Sequence, residues 1–140
     1  QMTFQQIKEF QKTEEIINRM QVSASPYWNN HYLFDKSTRY GERHLGTNSI
    51  NNILINTIAP CLFYFGKGRG EEIYCDKAFS LLESIPAEQN HILQEWMSHE
   101  VQVPNAYAGQ ALLGLYKNFC SQKKCLNCSL GIEILRRHDE

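Results

Sequence analysis

No apolar stretch in this chain is long enough to cross a bilayer. The longest run, from Ile58 to Phe65, has eight residues and contains Pro60, against the ~20 that a membrane-spanning helix needs. No excess charge of one sign is present either. Lys and Arg total 14 against 15 Asp and Glu, a net charge of −1, which argues against a surface that binds nucleic acid or anionic lipid all over. Five cysteines is an odd count, so a fully paired secreted disulfide framework is not expected. No basic stretch followed by an apolar one opens the chain, so no signal peptide is read, and the cytoplasm is the expected compartment. Repeats, low-complexity tracts and Pro/Ser-rich linkers are missing, so a single domain over residues 1–140 is expected. Gln1 cannot be an initiator, which points to a fragment or a processed product.

What is present is helical periodicity. Phe4, Ile7, Phe10, Ile17 and Met20 mark one face of a helix over residues 3–21. An irregular stretch, 22–46, carries the aromatic cluster Tyr27, Trp28, Tyr32 and Phe34 around His31. A second helix follows Gly46-Thr47-Asn48-Ser49, and Pro60 is expected to kink or break it. Gly66, Gly68 and Gly70 are expected to end it. Tyr74, Cys75, Ala78, Leu81, Leu82 and Ile85 define a third helix, and Ile92, Leu93, Trp96 and Met97 a fourth. Asn105 is a natural N-cap for a fifth, and a short helix is expected after Cys128. The expected fold is all-α: five or six packed helices, one long aromatic-rich loop and a C-terminal cysteine knuckle.

That knuckle is the strongest chemical signal. Cys125-x2-Cys128 has metal-ligand spacing, and Cys120 extends it to the first three ligands of a plant-type iron–sulfur pattern. A fourth ligand would have to be Cys75, His31, His44, His91, His99 or His138. Zinc is the expected metal, with an iron–sulfur cluster as the alternative; the competing reading is three reduced thiols packed at a helix end. Phe65-Gly66-Lys67-Gly68-Arg69-Gly70 fails the phosphate-loop pattern, leaving Lys67 and Arg69 as weak anion contacts at most. Asn52 and Asn56, one turn apart beside an apolar stripe, are expected with His31 to fasten the 22–46 loop. From Tyr116 to Arg137, five cations (Lys117, Lys123, Lys124, Arg136 and Arg137) face a single Glu133. They form a candidate nucleic-acid contact or, equally, favourable charges at helix C-termini. No Ser/His/Asp order, H-E-x-x-H helix or paired-carboxylate site supports an enzyme.

Four segments combine into a more specific pattern. They are Tyr27-Trp28-x2-His31-Tyr32-x-Phe34, Leu45-Gly46-x3-Ile50-x-Asn52-x-Leu54-Ile55-Asn56-x3-Pro60, Asn105-Ala106-x3-Gln110-Ala111-Leu112, and Cys120-x4-Cys125-Leu126-x-Cys128-x2-Gly131. In this order, with the Pro86-Ala87-Glu88-Gln89-Asn90 turn, they resemble the C-terminal region of a bacterial family, domain of unknown function 2851, over about Tyr27 to Leu135. The chain departs from it mildly, with Leu62-Phe63-Tyr64-Phe65-Gly66 where members tend to read Leu-Phe-Ala-Tyr-Gly. The resemblance implies a longer parent whose N-terminal part carries an acidic, nuclease-like motif that this chain lacks. A non-catalytic helical module is therefore expected, packing on that N-terminal domain or on a second subunit. The alternative is a metal-stapled nucleic-acid-binding module serving it.

Overall fold

The computed structural model describes residues 3–137. Helix accounts for 66% of it, in eight α-helical segments with short π and 3-10 turns, beside one small two-stranded sheet. The chain divides into two compact units, Gln1–Ser84 and Ile85–Glu140.

In the first unit, Thr3 caps α1 (Phe4–Glu9) through a capping box: its hydroxyl accepts from Gln6 N and its own N–H donates to the Gln6 side chain. The single helix expected over 3–21 is in fact two. Phe10 leaves helical geometry at φ −58, ψ 143, and α2 (Thr13–Met20) restarts with Glu14 and Glu15 in its first turn, where the helix dipole favours acids. The interruption resets the helical phase, so Ile16 is buried instead of the expected Ile17. Lys77, from α5 (Glu72–Ser84), secures the break. Its ammonium donates to Lys8 O and to Phe10 O, both at 2.6 Å, and sits 4.8 Å from the Phe10 ring centre. These carbonyls have no partner within α1.

Burial holds the Lys77 pKa below its ordinary 10.5, while Glu15 pulls it upward. The unfolded chain therefore binds more protons between the folded pKa and 10.5. Stability rises as pH is raised through that window, and at neutral pH the whole cost of the partly desolvated charge is present. Denaturant melts should show Lys77→Met costing about 1 kcal/mol at pH 7 through the lost hydrogen bonds. They should also show the rise towards pH 10 flattening in the variant.

Residues 22–46 form a closed loop. Leu45 N donates to Val22 O at 3.0 Å, Ala24 N donates to Arg43 O at 2.8 Å, and Ser23 bridges His44 in antiparallel fashion. Within it, β1 (His31–Leu33) pairs antiparallel with β2 (Lys36–Ser37) across a turn in which Asp35 adopts φ 58. No strand was expected here. Three and two residues are too few to show an alternating pattern.

Helix α3 (Thr47–Ile53) continues through a π turn, Leu54–Ile58, into α4 (Ala59–Arg69). Pro60 does not break the helix. The chain adapts one turn earlier, where Ala59 N donates to Leu54 O, five residues back, and Pro60 falls in the first turn of α4, where its missing donor costs nothing. The helix also runs through Gly66 and Gly68, and only Gly70, left-handed at φ 70, ends it. α4 packs on α5 with Gly66 pressed against the Glu71–Cys75 turn. Ile50, Leu54, Ile58, Leu62, Cys75, Ala78 and Leu81 make the core.

In the second unit, α6 (His91–Ser98) is capped by Asn90, which accepts from Leu93 N at 2.9 Å. α7 (Ala106–Leu115) is capped by Asn105 as expected, accepting from Ala108 N at 3.0 Å. Gly109 meets Ala87 and Leu93 closely, whereas Gly114 faces open space. A π turn, Tyr116–Cys120, extends α7; a 3-10 turn, Cys125–Asn127, then leads to α8 (Ser129–Arg137). Among the described residues, no helix is long and apolar enough to cross a membrane.

Candidate functional site

The C-terminal segment holds most of the chemistry read from the sequence, and its local geometry separates the three thiols. After the π turn, Ser121 N returns to Tyr116 O, and Lys123 at φ 53 reverses the chain into the 3-10 turn. Cys128 N closes that turn on Cys125 O, and the Cys128 side chain is buried. Cys120 and Cys125 are exposed. Among the described residues, no group of three or more His, Cys, Asp or Glu side chains is arranged to hold a metal ion. The expected convergence of Cys120, Cys125 and Cys128 on zinc or a cluster is therefore absent from this geometry. The spacing is compatible with ligation, but one thiol packs inward and the other two stand at the surface.

Cys120 instead lines a cavity. Ile92, Glu95 and Trp96 of α6, with His99 capping its end, share one side of the pocket, and Tyr116 and Cys120 of the π turn also line it. Together they line a half-open pocket of about 190 Å³. Among the other proposed fourth ligands, Cys75 is buried with Sγ 3.6 Å from Phe63 O. His44 Nδ1 meets Ser23 Oγ at 3.0 Å, and its Nε2 pairs with Glu42 at 3.5 Å. His91 opens α6, and His138 lies outside the described residues.

The basic residues are distributed along the chain. Lys117 is in the π turn and Lys123 and Lys124 are in the reversal after it. Arg136 and Arg137 end α8, where Arg137 Nε meets Glu133 at 3.1 Å. Lys67 and Arg69 occupy the last turn of α4, favourable for cations. Lys67 Nζ lies 5.8 Å from the Phe63 ring and the Arg69 guanidinium 4.9 Å from Phe65. The turn they precede leads to Glu71 and Glu72, which oppose an anion there.

His31 stacks on Tyr27 with ring centres 4.0 Å apart, and its Nδ1 lies 2.8 Å from both Tyr27 O and Asn30 Oδ1. Both partners are acceptors, so the proton is on Nδ1. Trp28 and Phe34 extend the cluster edge-to-face at 5.2 Å. Arg43 donates from Nε to Trp28 O and stacks 3.6 Å over Tyr32. Asn52 and Asn56 are exposed, with Asn56 Nδ2 donating to Asn52 O at 3.1 Å; the buried asparagine of this helix is Asn51.

Two features were missed from the sequence, Lys77 and the α6 face with Glu95 and His99. The i, i+3, i+4, i+7 spacing of Ile92, Glu95, Trp96 and His99 was visible. The element facing it was not.

The remaining distinctive surface is on α8. Gly131 presses against the Cys125 backbone, and around it Leu130, Ile132, Ile134 and Leu135 are all exposed, Ile134 by 58%. No residue of α8 is buried. Taken together, these features define a mostly helical protein with a closed aromatic loop and an uncovered amphipathic terminal helix. Residues 1–91 match the family described as "Protein of unknown function (DUF2851)", and the chain belongs to that family. The match ends at the start of α6, so the knuckle and α8 lie beyond it. No curated protein and no solved structure matches the chain.

Proposed function

We propose that this chain is a non-catalytic helical packing module whose exposed apolar surface is covered by another domain of its parent protein or by a second subunit. The observation that carries this reading is α8: a nine-residue helix with a broad apolar face and no buried side chain. An isolated helix this short is marginal in water, and exposed apolar patches rimmed by charge mark interaction sites. Glu133, Arg136 and Arg137 supply such a rim. All five cysteines are free thiols, which supports a reducing, cytoplasmic setting.

Light scattering and a hydrophobic-surface dye test the proposal. The wild-type chain is expected to self-associate or bind dye. Leu130→Glu with Ile134→Glu should suppress both without lowering helix content, because both side chains are already exposed. A wild-type chain that neither associates nor binds dye would overturn the reading. Salt-dependent binding of DNA or RNA in its place would favour the nucleic-acid alternative.

A further inference from the structure

Lys77 differs from the other described lysines in what holds it. Its ammonium is bound by neutral groups, donating to Lys8 O and Phe10 O at 2.6 Å each beside the Phe10 ring, and its side chain is half-buried. Desolvation leaves more of it as free amine at neutral pH than of an exposed lysine, against a smaller upward pull from Glu15. Lys77 also borders a half-open pocket of about 330 Å³, with Gln11 and Thr13 on the side of the α1–α2 break and Asp76 on α5. A partly desolvated lysine with space beside it has what acyl transfer to an amine requires.

From this arrangement we infer that Lys77 is an acylation site whose donor is a small uncharged acyl thioester. The free amine attacks the thioester carbonyl carbon: a C–N bond forms, the C–S bond breaks, and the proton lost from Nζ leaves with the thiol. Asp76 in the lining and Glu15 nearby oppose an anionic donor such as an acyl phosphate. The consequence follows from counting hydrogens. The ammonium has three and gives two to the end of α1; the amide has one and no charge, so it can serve only Lys8 O or Phe10 O. One of the two anchors of α1 is then lost. Phe4 of α1 packs edge-on against Phe65 with ring centres 5.3 Å apart, so loosening α1 uncovers that ring.

The probe is S-acetyl-N-acetylcysteamine, with acetyl phosphate as the anionic comparison. Hydroxylamine clears acyl groups from cysteines before peptide mass analysis. The thioester is expected to acetylate Lys77 at least about threefold faster than Lys12 and Lys36, both exposed, and acetyl phosphate to show no such preference. In the acetylated protein, the α1 amides should exchange at least about threefold faster while those of α4 and α5 keep their protection. Lys77→Gln, shorter and uncharged, should reproduce the faster exchange, whereas Lys77→Arg, which keeps charge and donors, should not. Lys77 reacting no faster than Lys12 and Lys36, an equal preference under acetyl phosphate, or α1 exchange unchanged by acetylation would each overturn the proposal. α8 belongs to the other unit, so the packing reading stands or falls separately.

Discussion

Gly66→Ala is expected to destabilise the first unit by about 1–3 kcal/mol, the usual range for forcing a methyl group into a packed interior. A Cβ on Gly66 would stand 2.8 Å from Cys75 Sγ, 2.9 Å from Glu71 O and 3.1 Å from Cys75 N. Cys75 can rotate its sulfur away, but the other two atoms are backbone, Glu71 O in the link between α4 and α5 and Cys75 N in the first turns of α5. The helix must therefore move away from them. Alanine's better helix propensity returns at most about 1 kcal/mol, so the sign of the effect should hold. Adding Cys75→Ala would relieve only the sulfur contact, so that double variant should recover part of the loss and no more. Urea melts of the three variants decide the matter. A Gly66→Ala protein as stable as wild type would mean that α4 and α5 do not approach as closely as described.

Gly131→Ala is expected to release α8 altogether. The added methyl would lie inside contact distance of the Cys125 carbonyl oxygen and 3.0 Å from its carbon. All the atoms in its way are backbone, so no side chain can yield. This contact sets α8 close against the 3-10 turn, and none of the residues of α8 is itself buried. Once detached, nine residues should fray. Hydrogen exchange is the appropriate measurement: the α8 amides should lose their protection while those of α4 and α5 keep theirs. Retained protection in α8 would show that the close approach at Gly131 is not required.

Much of the helical plan is legible in the chain, for local reasons. The cap at Asn105 depends on residues within one turn of each other, as does the period of α5, whereas α3 starts at Thr47, inside the run expected to precede it. What is hidden depends on distant partners. Nothing in Phe10-Gln11-Lys12 signals a break, since it contains neither Gly nor Pro; the carbonyls freed there are taken up by Lys77, far along the sequence. Pro60 is a visible signal, but its consequence is displaced into Leu54–Ile58, where the composition is ordinary. The cysteine spacing suggested ligands because spacing constrains how sulfurs could meet. It does not say which way each turns, and Cys128 turns inward. The α6 cavity required two helical faces to be set opposite each other, which periodicity alone does not do.

The π turn has an angular consequence for the whole α3–α4 rod. Ile50, Leu54, Ile58, Leu62 and Gly66 are all buried and are spaced four residues apart. In an uninterrupted α-helix of 3.6 residues per turn, each such step precesses by about 40°, so the last of the five would be rotated about 160° from the first. The wider π turn admits roughly one extra residue and takes back about 100° of that rotation. It works as a phase corrector, keeping the start and end of one long helix facing the same neighbours. A single-residue deletion within Leu54–Ile58 would therefore remove the extra residue and the π turn together, and both halves of the rod would go on facing their present neighbours.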